Sequence, residues 1–152
     1  MLQTLSIQNM RNIDTLHCEL HPKMTIFHGA NGSGKSTILE AIHLMALGRS
    51  FRSRQNKHMI QHQQPELSLI GKTTASNHLN HTIGMTRSQD NKNAVHFDGD
   101  PIANSSVLAQ NLPLQLLEPQ SFELLSGSPD TRRQYLDWGV FPVAPSFFDS
   151  WR

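Results

Sequence analysis

The stretch that decides the fold reads Gly29-Ala30-Asn31-Gly32-Ser33-Gly34-Lys35-Ser36. It matches G-x-x-x-x-G-K-[ST], the phosphate-binding loop of P-loop NTPases. Residues 24–28, just before it, are apolar and β-prone, and residues 37–47, just after it, repeat apolar positions at the helical period. Strand, glycine loop and helix in this order are the context that the motif needs. The alternative is a glycine-rich turn before an ordinary helix.

The spacing within this loop has a chemical reason. Its glycines let the backbone approach a ligand closely and aim successive N–H groups inward as an anion nest. The N-terminus of the following helix adds partial positive charge. Lys35 is expected to reach the β- and γ-phosphates of ATP, and the Ser36 hydroxyl is expected to ligate Mg²⁺. ATP and Mg²⁺ are therefore the predicted cofactors, and Lys35 and Ser36 are the predicted catalytic groups.

The composition is that of one globular domain. The chain has 152 residues, of which 37% are hydrophobic, and 13 basic residues against 12 acidic ones leave a net charge of +1. Such a balance neither requires nor excludes a nucleic-acid partner. The single cysteine excludes an internal disulfide framework, and no apolar run reaches the ~20 residues that cross a membrane. We therefore expect a cytoplasmic protein with no membrane partner.

The rest of the pattern predicts an antiparallel β subdomain beside the P-loop core, and hence an α/β fold. Alternating apolar and polar residues indicate half-buried strands. These strands are expected near residues 2–7 and at 13–20, 66–74, 80–87 and 94–97. An apolar strand is predicted at 112–117, and helices at 103–111 and 130–138. The buried face of the helix after the loop is predicted to carry Ile38, Ile42, Met45 and Ala46.

A second acidic site, which a working P-loop ATPase needs, is missing from the sequence. That site is an apolar strand that ends in Asp, often followed by Glu, and it holds Mg²⁺ and polarises the attacking water. The run at 95–98 is too short, and the run at 114–118 has no Asp-Glu pair. We expect either an N-terminal piece of a longer protein or a protein that binds nucleotide without hydrolysing it.

Several further segments resemble the start of the RecF family of bacterial recombination-repair ATPases. They are Leu-Ser-Ile-Gln-Asn-Met-Arg-Asn-Ile at 5–13, Leu-Glu-Ala-Ile at 39–42, Gly-Arg-Ser-Phe-Arg-Ser at 48–53, Gly-Ser-Pro at 127–129 and Arg-Arg-Gln-Tyr-Leu-Asp-Trp at 132–138. The family is similar to the ABC-type ATPase heads of SMC and Rad50 proteins. The resemblance covers essentially the whole chain. It implies the N-terminal half of such a head, with a helical lobe starting at about residue 121 and with the Walker B and signature motifs outside residues 1–152.

The resemblance also implies roles for two side chains outside the loop. Arg11 matches an arginine that contacts the nucleotide phosphates in Rad50-like heads. Gln120 follows the predicted strand at 112–117 and matches the glutamine that senses Mg²⁺ in ABC heads. RecF relatives often have Pro-Glu where this chain has Pro119-Gln120, so Gln115 is the second choice.

Basic residues and histidines suggest two other kinds of site. A cluster of cations after the P-loop helix could bind DNA phosphates; it consists of Arg49, Arg52, Arg54 and Lys57. The alternative is a solvated basic loop, or arginines that are paired within the head. His58 and His62 would face one metal ion if they lay on a helix, but neither cysteine nor an adjacent glutamate completes a ligand set.

The function that the resemblance implies is ATP-dependent DNA binding in recombinational repair and replication-fork maintenance, within the SOS response to DNA damage. The resemblance implies a weak ATPase at full length, and we expect residues 1–152 alone to bind ATP without hydrolysing it. ATP would join two heads as a homodimer on gapped DNA or on a junction of single- and double-stranded DNA. The implied partners are RecO and RecR, and the implied outcome is the loading of RecA onto DNA. Two alternatives remain open: a small P-loop kinase, against which the β-rich middle argues, and a non-catalytic, nucleotide-gated interaction module.

Overall fold

A computed structural model describes residues 1–75, 78–102 and 106–117, together with positions 129, 130, 133, 136 and 140. The chain divides into two compact units, Met1–Leu112 and Pro113–Arg152. The first unit contains the P-loop and the helix that follows it. The predicted start of a helical lobe at about residue 121 stays a prediction.

The first unit is built on a six-stranded antiparallel sheet. Its strands are β1 (Leu2–Met10), β2 (Ile13–Glu19), β3 (Glu66–Thr74), β4 (Asn80–Ser88), β5 (Asn93–Phe97) and β6 (Asp100–Pro101), in the order β2-β1-β3-β4-β5-β6. The strands predicted from alternation are confirmed, and in β1, β3 and β4 one face is buried while the other is at least partly exposed. The two-residue strand β6 was not predicted; it pairs back on β5 after the turn at Asp98-Gly99.

The helix that follows the P-loop packs on the buried face of this sheet. It is α1 (Lys35–Leu47), and a short second helix, α2 (Ser106–Asn111), packs on α1. At Gly71 of β3, an added Cβ would lie 2.3 Å from Cε of Met45, so the missing side chain is what lets α1 approach so closely.

The buried face of α1 differs in part from the prediction. Met45 and Ala46 are fully buried as predicted, but Ile38 and Ile42 are only half-buried. The helix instead turns inward a stripe that contains Ala41 and Leu44. This rotation also buries polar residues of α1, including Glu40, which becomes important for the site.

Two predicted strands are wrong. Residues 24–28 and 112–117 lie outside any strand. The side chains of Met24 and Ile26 are 70% and 73% exposed. An isolated apolar segment becomes a strand only when a neighbour supplies hydrogen bonds, and the sheet that the described residues form is antiparallel throughout. Among the described residues, neither apolar segment pairs with a strand of this sheet.

A buried arginine ties the C-terminal end of α1 to the sheet. Arg87 of β4 is buried, and its Nη2 donates a hydrogen bond of 3.3 Å to the carbonyl of Gly48, the residue that caps α1. Burial lowers the pKa of Arg87. A cation beside the last carbonyls of a helix is favourable. The contact fixes the start of the segment 48–53, which contributes Arg52 to the candidate site.

The described positions of the second unit are consistent with the helix predicted at 130–138. Residues 129, 130, 133, 136 and 140 are helical, and Arg133 pairs with Asp130 at 3.3 Å on the exposed side. Gln120 lies outside the described residues, whereas Gln115 is described and exposed. Among the described residues, no helix is long and apolar enough to cross a membrane.

Candidate nucleotide-binding site

The P-loop forms one wall of a cleft of about 390 Å³. The cleft is lined by Arg11, Asn12, Asn31, Gly32, Ser33, Gly34, Lys35, Ser36, Thr37 and Arg52. These residues come from three places in the chain: the turn between β1 and β2, the P-loop with the first turn of α1, and the segment after α1. The wall is rich in backbone N–H groups and cations, which suits an anionic ligand.

Gly34 sets the geometry at the point where the loop becomes a helix. Its φ of +95° lies in the left-handed region, and it occupies the N-cap position of α1. Among the described residues, no side chain caps this helix N-terminus, and the first turn of α1 contains no acidic residue. The first N–H groups of α1 are therefore left for a ligand, as in other phosphate-binding helix termini.

We expect Gly34→Ala to damage the site and the fold together. An added Cβ would be strained at φ +95° and would lie 3.2 Å from Cγ1 of Ile13 in β2. A non-glycine residue in this region costs about 1–3 kcal/mol. Urea denaturation should show a loss of that size, and ATP affinity should fall with it. Gly99→Ala is the matched control, because Gly99 also has positive φ (+93°) but its Cβ would contact nothing. Equal ATP affinity in the two variants would contradict the assignment.

Lys35 lies at the start of α1 with its ammonium turned back over the loop. Its Nζ donates hydrogen bonds to the carbonyls of Gly29 (2.9 Å) and Ala30 (2.7 Å). Ser36 follows on the exposed side and lines the cleft. The loop thus holds its own lysine in place, and the cation and the hydroxyl lie side by side in the sequence at the helix N-terminus.

Asn12 connects the β1–β2 turn to the P-loop, and the sequence reasoning missed it. Its Nδ2 donates to the carbonyl of Gly32 at 2.7 Å, and its Oδ1 accepts a hydrogen bond from Thr37 Oγ1 at 3.0 Å. One amide therefore joins the loop to the first turn of α1. An asparagine in a two-residue turn is the signal that could have pointed to it, since such side chains commonly bond to nearby backbone.

Arg11, predicted to contact phosphates, occupies the cleft but is held by a carboxylate. Its Nε donates to Glu40 Oε2 at 2.5 Å and its Nη2 to Glu40 Oε1 at 2.7 Å. The residue has a φ of +52°, which is uncommon for arginine, and its N–H donates to the carbonyl of Met59 at 2.8 Å. The turn is thus fixed by its backbone as well as by its side chain.

Glu40 is completely buried one turn beyond Ser36 on α1, and three side chains bind it. Besides Arg11, Ser50 Oγ donates to Oε1 at 2.5 Å and Arg52 Nη1 to Oε2 at 3.2 Å. Burial raises the pKa of Glu40, but hydrogen bonds from Arg11 and Ser50 and the charges of both arginines outweigh it, so the pKa lies below its ordinary value. Glu40 is therefore an anion, and it binds two cations at the edge of the cleft.

The structure separates the cations that were predicted to bind DNA. Arg52 lines the nucleotide cleft, whereas Arg49, Arg54 and Lys57 are exposed side chains that do not line it. His58 and His62 are both exposed, and the 3₁₀ turn Asn56–His58 ends at the first of them, so the helix that would have brought them together is absent. In the described part of the chain, no group of three or more metal-binding side chains occurs.

Comparison with known proteins agrees with this architecture. The family profile described as an AAA domain matches residues 4–132. The DNA replication and repair protein RecF of Pseudomonas syringae pv. tomato is 40% identical over 151 residues, which are 99% of this chain and 41% of that protein. RecF of Pseudomonas aeruginosa PAO1 is 39% identical over the same shares of both chains. The chain thus spans about two fifths of the length of these curated relatives.

Solved structures show the same fold at lower identity. The recombination mediator protein RecF-ATP in the RecFOR pathway superposes with a TM-score of 0.84 at 22% identity, covering 97% of this chain and 39% of that one. An SMC head bound to the C-terminal winged-helix domain of ScpA gives a TM-score of 0.71 at 17% identity, covering 90% of this chain and 50% of that one. The predicted P-loop fold of ABC-type heads, with its antiparallel subdomain, is confirmed. The chain belongs to the AAA-domain family, and within it the chain is similar to part of RecF, as its motifs predicted.

Proposed function

We propose that residues 29–36 bind the phosphates of ATP together with Mg²⁺, and that this chain is the nucleotide-binding part of a RecF-like DNA repair ATPase. One observation carries the proposal: the N-terminus of α1, Lys35 and Arg52 line the same cleft. Each is a positive or partly positive group, and together they suit a polyphosphate better than a neutral ligand.

The residues present fit both parts of the ligand. Backbone N–H groups of the loop and Lys35 Nζ would bind phosphate oxygens, and the exposed Ser36 hydroxyl would ligate Mg²⁺. The metal would neutralise charge on the phosphates when bound. Lys35 Nζ already donates to carbonyls of its own loop, and phosphate oxygens would replace those acceptors when ATP binds.

The names of the relatives support a role in DNA repair. They are called DNA replication and repair proteins, and one is described as a recombination mediator in the RecFOR pathway. We propose that the whole protein binds gapped DNA or single-strand/double-strand junctions when ATP is present. Arg49, Arg54 and Lys57 would contact DNA phosphates, since their side chains are exposed and do not line the nucleotide cleft.

Partners and a location are proposed on the same grounds. A cytoplasmic protein of this type would act with RecO- and RecR-like proteins to support RecA loading, and ATP would join two heads into a homodimer. Lys35 and Ser36 would act in hydrolysis by positioning and charge stabilisation rather than by covalent chemistry. The glutamine that contacts Mg²⁺ in the family would be Gln120, with Gln115 as the second choice.

A competition titration tests the proposal on the 152-residue chain. We expect ATP with Mg²⁺ to bind, inorganic triphosphate to displace it, and adenosine to leave it bound, because the cleft recognises charge on phosphates. Isothermal titration calorimetry measures all three. Displacement by adenosine, or no binding of ATP, would contradict the proposal.

The DNA role needs a separate measurement. Fluorescence anisotropy with a gapped duplex should show tighter binding of the full-length protein with ATP than without it, and the difference should shrink as salt rises. Phosphate transfer from ATP to a small metabolite in an acceptor screen would favour the kinase alternative instead.

A further inference from the structure

We propose that Glu40 is a positioning residue of the cleft. Its buried carboxylate holds Arg11 permanently and Arg52 replaceably, so that Arg52 is kept at the rim as the cation that meets the phosphates. The proposal rests on the proposed ATP binding, and it assigns to Glu40 a role that acts through Arg52 and not through contact with the ligand.

The location of Glu40 makes it a suitable anchor. It lies on α1 four residues after Ser36, so it is on the same side of the helix as the predicted Mg²⁺ ligand and one turn deeper. Its side chain is 0% exposed. A buried carboxylate must be paired, because an unpaired charge in the interior is strongly unfavourable. Glu40 therefore holds cations at this place for as long as the protein is folded.

The two arginines are held unequally. Arg11 makes two short hydrogen bonds of 2.5 and 2.7 Å to both carboxylate oxygens, and 22% of its side chain is exposed. Arg52 makes a single contact of 3.2 Å to one oxygen, and 41% of its side chain is exposed. A two-point contact in a partly buried place is much stronger than one long contact near solvent. Arg52 can therefore leave Glu40 without leaving the carboxylate unpaired.

Ser50 limits how far Arg52 can move. Its Oγ donates to Glu40 and accepts hydrogen bonds from the backbone N–H groups of Arg52 (2.9 Å) and Ser53 (3.1 Å). The main chain at residue 52 is thus fixed to the same carboxylate as the guanidinium. The guanidinium of Arg52 can move towards the cleft, whereas the backbone of residue 52 stays in place.

This arrangement prepares the site before any ligand arrives. An arginine free in solvent would lose much of its rotamer freedom on meeting a phosphate, and that loss would oppose binding. Glu40 has already restricted Arg52, and its bond to Arg11 keeps it satisfied after Arg52 turns away. Preorganisation of this kind raises affinity without adding a contact.

A double-mutant cycle on ATP affinity isolates this role. We expect Arg52→Gln to weaken ATP binding about tenfold in the wild-type background, the effect of losing one hydrogen bond to a charged group. In the Glu40→Gln background, the same change should cost less than about twofold, because Arg52 is no longer positioned there. The cycle cancels the general gain in positive charge that Glu40→Gln brings. Calorimetric titration of the four proteins provides the affinities.

Controls separate a positioning role from a structural one. Glu66→Gln changes an exposed glutamate of β3, and in that background Arg52→Gln should still cost about tenfold. If Glu40→Gln does not fold, Ser50→Ala replaces it in the cycle, because it removes the hydroxyl that holds the backbone of Arg52 to the carboxylate. Arg52→Lys, which keeps the charge but not the fork, should recover only part of the affinity.

The outcomes distinguish this inference from the proposed function. Equal losses from Arg52→Gln in the Glu40→Gln and wild-type backgrounds would overturn the role of Glu40 while leaving ATP binding intact. If the wild-type chain does not bind ATP, the proposed function fails first and this inference fails with it. Strong non-additivity in the Glu40 cycle, with additivity in the Glu66 cycle, supports both.

Discussion

Replacing Lys35 with alanine is expected to lower the affinity for ATP about a hundredfold, which corresponds to losing an interaction of ~3 kcal/mol between two charged groups. The ammonium is the one side-chain cation that the P-loop itself contributes, and it lies at the N-terminus of α1 among backbone donors. Its hydrogen bonds go to the carbonyls of two exposed loop residues, Gly29 and Ala30, so its removal should leave the fold intact.

Lys72→Ala is the matched control for this prediction. Lys72 is an exposed lysine of β3 that does not line the cleft, and its loss changes the net charge by the same amount. Calorimetric titration with ATP and Mg²⁺ compares the two variants, and a thermal melt checks that both are folded. If Lys35→Ala bound ATP as tightly as Lys72→Ala, residues 29–36 would not be the phosphate-binding loop.

Local patterns in the sequence were sufficient to predict most elements of the first unit. The strands 66–74 and 80–88 alternate apolar and polar residues because one face of each is buried and the other is turned towards solvent. Successive side chains of a strand point to opposite faces, so this alternation can be recognised in the sequence without knowing which strand lies beside it. The P-loop was predictable for a related reason: its glycines and its lysine act through short-range backbone geometry, and all lie within eight consecutive residues.

Elements that depend on distant partners could not be predicted in the same way. Residues 24–28 have the composition of a strand, but composition does not say whether a neighbour is present to pair with them. Ile42 has helical spacing with Met45, yet the helix is rotated so that Glu40 and Leu44 are more deeply buried. Which side of a helix faces inward is decided by what it packs on, here Gly71 and the rest of the sheet.

The contacts that shape the cleft were also beyond local reasoning. Arg11 and Glu40 are 29 positions apart, and Thr37 and Asn12 are 25 apart, so their pairing needs the sheet to bring the β1–β2 turn beside α1. Glu40 and Ser50 belong to segments that resemble the RecF family, but the sequence alone did not indicate a role for either residue. The structure shows what they share: the buried carboxylate of Glu40 accepts hydrogen bonds from Ser50 and from two arginines. A buried carboxylate needs such partners.

The second large effect is expected from Arg11→Ala, which should lower the free energy of unfolding by about 3 kcal/mol at pH 7. The change removes both short hydrogen bonds to Glu40 and leaves a fully buried carboxylate with one hydroxyl and the weaker contact from Arg52. The backbone of the turn remains fixed by the hydrogen bond from residue 11 to Met59, so the loss reports on the side chain.

The pH dependence identifies Glu40 as the cause of this loss. In the wild type the pKa of Glu40 lies below its ordinary value of about 4.3, so its stabilising effect is complete above that pH and is lost as the pH falls through the folded-state pKa. In Arg11→Ala the effect of burial is less opposed, and the pKa of Glu40 is higher than in the wild type. A protonated Glu40 needs no cation, so the two proteins should converge in stability as the pH falls below the ordinary glutamate pKa and towards the lower folded-state pKa of the wild type.

Urea denaturation at several pH values measures both curves. Arg54→Ala, at an exposed arginine outside the cleft, should run within about 0.5 kcal/mol of the wild type throughout. A loss in Arg11→Ala that stays constant over this pH range would show that packing of the arginine stem, and not its pairing with Glu40, stabilises the turn. If the difference in free energy of unfolding decreases as the pH falls, the pairing with Glu40 stabilises the turn. That carboxylate is the one that is proposed to position Arg52.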